Sequence, residues 1–193
     1  MNPAGPPRLL PPKAPVKLLP EPLSEPISPV FEALPLSRAL QRLVVAEPVG
    51  GAPHDAVAAA VADPALAGRP ALQATLWLYV DDLDRAHELV QDLHSPTGSL
   101  LHAVMHRREG DFSNAMYWYR KAGHHPAFGR IDLTGGGAGS GTSVARYDPQ
   151  LFVRQVEKAV AEKDPESPAL VSQQNKEWVA IFESLCDSPP PAG

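Results

Sequence analysis

Residues 100–126 read LLHAVMHRREGDFSNAMYWYRKAGHHP, and the pair Gly110-Asp111 divides them into two segments of helical periodicity. Glycine takes the left-handed conformation that ends a helix, and aspartate offers a side-chain acceptor to the free amides that begin the next. At about 100° per residue, Phe112, Ala115, Met116, Tyr119 and Ala122 share one face of the second segment, with Ser113, Tyr117, Arg120 and Lys121 on the other. The stretch is therefore expected to form two antiparallel helices joined by a tight turn, with the first of those faces buried.

The pattern Gly110, Asp111, Phe112, Ala115, Tyr119 and Ala122, followed by Pro126, resembles the second half of a tetratricopeptide repeat. That resemblance implies helix pairs stacked side by side, with a groove between first helices that receives a peptide or a partner helix. In the first segment Ala103 stands at the family's small-residue position, whereas His102 and His106 replace a leucine and an aromatic. Upstream, Asp82-Leu83-Asp84-Arg85-Ala86 can be laid over Asp111-Phe112-Ser113-Asn114-Ala115, at an offset shorter than the family's repeat length. The signature HRREGD…NA…YWYR…GHHP is also similar to bacterial and fungal proteins of no assigned function, a likeness that implies no biochemistry.

Of the 23 prolines in the 193 residues, eleven fall before residue 36. Residues 1–35 are accordingly expected to be a disordered, polyproline-like tail unable to form helix. Residues 36–187 then make one helical domain, and 188–193 a second short tail. Within the domain, helices are expected from Ser37 to Val45, His54 to Ala62, Ala71 to Val80, Leu83 to His94, Asp148 to about Asp164, and Ala169 to Cys186. The run Thr134-Gly135-Gly136-Gly137-Ala138-Gly139-Ser140-Gly141-Thr142 lacks the lysine of a phosphate-binding loop, so residues 134–143 are expected to be a flexible loop. No stretch shows convincing period-2 alternation. The expected class is all-α, either a short tetratricopeptide-like stack of antiparallel pairs or an orthogonal bundle, with no sheet.

Charge and cysteine content narrow the function. A net charge of −5 argues against nucleic-acid binding, and no apolar run is long enough for a membrane. The single cysteine, Cys186, fits a reducing, cytoplasmic setting, and its place on an apolar helix face predicts inert burial.

The candidate site residues lie in the central hairpin. His102 and His106, four apart, share a helix face and can bind a partner, or chelate a metal if His124, His125, Glu109 or Asp111 supplies a third ligand. Arg107, Arg108 and Glu109 read as a charged helix end suited to the dipole, and His124 and His125 as an exit turn with exposed rings. Tyr117, Trp118 and Arg120 fall at or outside the edge of the buried face and belong to the residue types that most often anchor partners. The partner-binding set is thus His102, His106, Arg107, Glu109, Tyr117, Trp118, Arg120 and His125. Neither a catalytic group nor a cofactor is implied. The functional expectation is an interaction module that binds a protein or peptide through the groove of the central hairpin, the alternative a small metal-binding protein or enzyme with its site at the histidine-rich hairpin 102–125.

Overall fold

A computed structural model describes residues 19–131, 133 and 147–188; residues 1–18, the glycine-rich run 134–143 and residues 189–193 lie outside them. Among the described residues the fold is all-helical, without a strand. Its helices are α1 (Ser24–Ala33), α2 (Ala52–Ala62), α3 (Pro70–Tyr79), α4 (Leu83–Val90), α5 (Pro96–Glu109), α6 (Phe112–Ala122), α7 (Pro149–Ala161) and α8 (Pro168–Asp187). Single 3-10 turns at Pro64–Leu66 and Pro126–Arg130 complete it.

Many prolines start helices. One sits in the first two positions of each of α2, α3, α5, α7 and α8, where the missing amide proton has no intrahelical partner to lose. Side-chain caps add to these starts. Asp82 accepts from the Arg85 amide, Ser95 from Gly98, Asp111 from Asn114, and Asp148 from Gln150 and Leu151. The matching caps of Asp82 and Asp111, with Ala86 and Ala115 both fully buried four residues on, give the aligned pentapeptides the same local structure.

The central turn forms as its residues dictate. Gly110 closes α5 at φ 84°, in the left-handed region, and α6 runs back closely packed along α5. Helices α3 and α4 form a second antiparallel pair, α4 packs on α5, and α1 packs on α2. Helix α8 crosses α3 and sends the Trp178 indole N–H to the Thr75 carbonyl at 2.9 Å. An aromatic cluster ties three helices together. Phe31 of α1 meets Tyr79 of α3 edge-on at 5.4 Å and Phe182 of α8 at 5.7 Å, and Trp178 stacks on Phe182 at 4.8 Å. Full burial of a phenylalanine such as Phe182 contributes roughly 1.5–3 kcal/mol. A smaller apolar cluster around Phe152, Val156, Ile131, Leu43 and Val171 seats α7.

Three expectations are corrected. Helix α1 lies inside the stretch read as an unstructured tail: Leu23, Ile27, Val30 and Leu34, spaced four, three and four apart, are all buried. Pro26 falls in the first turn, where no intrahelical amide bond exists to break, and Pro29 forfeits only one; the buried stripe outweighs that loss. Residues 37–45 form turns, bends and irregular chain rather than a helix, because their backbone serves other elements: the Leu43 amide donates to Pro165 O and the Val45 amide to Arg108 O. Helix α4 ends at Val90, four residues before His94, since the chain must turn sharply into the Ser95 cap.

Candidate functional site

The last turn of α5 carries two consecutive arginines, and both are buried. Successive residues point about 100° apart around a helix, so the guanidinium groups enter different surroundings. Arg107 donates to Gln174 Oε1 at 2.8 Å and to Glu177, both on α8, and lies 4.4 Å above the Phe152 ring. Glu177 also accepts from the Tyr119 hydroxyl at 2.6 Å and the Tyr147 hydroxyl at 2.5 Å. Gln174 turns its amide nitrogen to the carbonyls of Leu40 and Arg42, at 2.8 and 2.9 Å. Arg108 donates to Asp81 Oδ1 at 2.7 Å and to the carbonyls of Leu78 and Arg42 at 3.0 and 3.1 Å.

Electrostatics follows from this enclosure. Burial opposes the Arg107 charge, yet Glu177 and the two tyrosines overcompensate and hold its pKa above the ordinary value. Burial first, and then the Glu177 carboxylate, push Tyr119 and Tyr147 upward, so both remain protonated donors. The charged helix end expected to face solvent is instead a buried lock between α5, α8 and the α3–α4 turn. It corrects the placement of Arg107 and Arg108: a guanidinium whose terminal nitrogens meet a carboxylate and carbonyl oxygens can be buried, here with Nε of each left without a partner, and the fold brings those acceptors from 27 to 70 residues away.

On the other side of α5, facing α4 and α6, three imidazoles and an indole meet. The His102 ring stacks on Trp118 with centroids 4.3 Å apart and planes at 15°. His87 of α4 stands edge-on to His102 at 5.2 Å, and His106 lies 6.4 Å from each. His102 donates Nδ1–H to the Gly98 carbonyl at 2.9 Å. His106 donates Nδ1–H to Glu109 Oε2 at 2.8 Å, and its Nε2 faces the Asn114 amide at 3.3 Å. The Lys121 ammonium sits 4.5 Å from the Trp118 ring centre, and Tyr117 beside it is 50% exposed. Burial, then the neighbouring His87, His106 and Lys121, lower the His102 pKa below the ordinary histidine value, with the Gly98 bond acting in the opposite direction.

The remaining candidates lie elsewhere. Arg120, His124 and His125 line an open cleft of about 690 Å3 with Tyr119, Phe128, Tyr147 and Asp148. His124 is exposed, but His125 is buried, contrary to the expected exposed ring: its Nδ1 accepts from the Ala127 amide at 3.2 Å and its Nε2–H donates to Thr97 Oγ1 at 3.1 Å. Capping a 3-10 turn draws the ring inward. His124 and His125 therefore do not join His102 and His106, and among the described residues no three His, Cys, Asp or Glu side chains converge as a metal site. The predicted set thus divides in three: Arg107 in the core, His102, His106, Glu109, Tyr117 and Trp118 around the α4–α6 surface, and Arg120 and His125 at the cleft.

Sequence reasoning missed His87, Asp81, Gln174, Glu177 and Tyr147. A signal existed for two of them. Gln174 and Glu177 fall within the apolar stripe of α8 that runs from Val171 through Trp178 to Ile181, and a polar residue inside such a stripe needs a buried partner. No family model matches the chain, and neither the curated proteins nor the solved structures contain a match.

Proposed function

We propose that the protein is a non-enzymatic helical interaction module that receives a protein or peptide partner on the α4–α6 surface centred on Trp118 and Tyr117. The observation that carries this reading is the exposed ring of Tyr117 next to Trp118, with Lys121 held over the indole. Aromatic rings with a cation beside them lose little conformational entropy on binding and gain much contact area. The resemblance of the central hairpin to a tetratricopeptide repeat supports the same class of function. It points to a different face, however, because α8 lies against α3 and engages Arg107 of α5 on the side where such a groove would open. His102, buried, and His106, half-buried, lie beneath that surface, with the His102 ring stacked on Trp118.

A photo-crosslinking amino acid at position 117, with position 151 on α7 as an exposed control, tests the reading in extracts of the source cells. The expected result is a discrete adduct from position 117 only, lost on Trp118→Ala and weakened in the His102→Leu, His106→Leu double variant. Identical adducts from both positions, or an adduct indifferent to Trp118, would exclude this surface.

A further inference from the structure

We propose that His102, packed against His87 and His106, is a proton-operated latch over Trp118, in which protonating His102 drives its ring off the indole and uncovers that face. The proposal concerns the free protein and does not depend on a partner.

The geometry supplies both states. As a neutral ring, His102 is held at one end by the bond from Nδ1–H to the Gly98 carbonyl and lies flat on Trp118 at 4.3 Å. Lys121 occupies the same indole at 4.5 Å, so a protonated His102 would be a second cation on one ring. The charged or titratable groups around it are His87 from α4, His106 and Glu109 from α5, and Lys121 from α6, with Asp111 at the α5–α6 turn. The carboxylates serve other groups. Glu109 accepts from His106 Nδ1, and Asp111 caps α6 through the Asn114 amide, whereas the Lys121 cation shares the Trp118 indole with His102. His102 is also only 5% exposed, so water does little to stabilise its charge in place. Rotation toward solvent relieves both problems. It breaks the stack while leaving the helix backbone and the buried arginine lock untouched, since Arg107 and Arg108 point away into the core.

Nuclear magnetic resonance on nitrogen-labelled full chain tests the latch, with the Trp118 indole N–H assigned by its absence in Trp118→Phe. Between pH 7.5 and 5.0 the Trp118 signal should shift with a midpoint below the free-histidine value of about 6.5, while the Trp178 signal, bonded to Thr75 O, stays fixed. His102→Gln, which keeps a donor for Gly98 O but cannot charge, should abolish the shift. The surface variant Lys121→Gln removes one repelling cation without touching the core, so it should move the midpoint upward. A Trp118 signal that is flat in the parent, that still titrates in His102→Gln, or that moves only together with loss of the far-ultraviolet helical signal would overturn the proposal. An unmoved midpoint in Lys121→Gln would do the same.

Discussion

Arg107 of α5 and Glu177 of α8 form an ion pair from which solvent is shut out on both sides, with side-chain exposures of 0% and 1%. Two helices 70 residues apart in sequence are thereby locked at one point. Removing one partner of such a pair leaves an uncompensated buried charge, which costs about 3–5 kcal/mol.

Glu177→Ala is therefore expected to lower stability by that amount and to orphan the hydroxyls of Tyr119 and Tyr147 as well. Denaturant unfolding of Glu177→Ala, Arg107→Met and the double variant forms a cycle. The double variant should lose clearly less than the sum of the singles. Strict additivity would show that the pair carries no coupling.

Ala115 is fully buried at the contact of α5 and α6, the most extensively packed helix pair in the molecule. Ala115→Leu inserts three carbons where no space exists and should cost about 1–3 kcal/mol, read as a lowered melting temperature. An unchanged melting temperature would mean that the two helices do not meet there.

Acid should weaken the fold before any carboxylate of ordinary pKa titrates. Burial lowers the pKa of both His102 and His125 in the folded chain. The unfolded chain, with histidines near about 6.5, then binds more protons than the folded one, so stability is fully present above that value and is lost as pH falls through the folded pKa values. Protonating His125 also removes the Nδ1 acceptor of the Ala127 amide. Urea midpoints should be lower at pH 5.5 than at pH 7.5, with a smaller difference in His125→Gln. Equal midpoints at the two pH values would refute this linkage.

Cys186 is buried and its thiol is pushed up to about 12 by that burial, so it should not react with a disulfide reagent in the native protein at pH 8. One thiol should appear in denaturant. Rapid native labelling would mean that the end of α8 opens.

Much of the helical layout was legible in residues 52–187 because its signals are local. First-turn prolines and Asp caps mark α3, α6 and α7, while alanine content marks α2 and an apolar face marks α8, and the reading of these five agrees closely with the structure. Helix α1 was hidden because proline content outweighed the stripe Leu23, Ile27, Val30 and Leu34, although that stripe was there to be read. The surface around Trp118 was half legible: His102, His106, Tyr117 and Trp118 come from one hairpin, but His87 reaches them only because α4 packs on α5.

By itself, the sequence determined the all-helical class and the turn at Gly110-Asp111, since hydrogen bonds and periodicity within a few residues suffice for both. Tertiary structure alone decided what Arg107 and Arg108 are. Two adjacent arginines at a helix end look like a solvated tip, because charge is cheapest in water and local sequence offers no acceptor. Only the fold, bringing Glu177 and Gln174 to one of them and Asp81 and the Leu78 and Arg42 carbonyls to the other, supplies acceptors for their terminal nitrogens and so lets both be buried, with the Nε of each left without a partner.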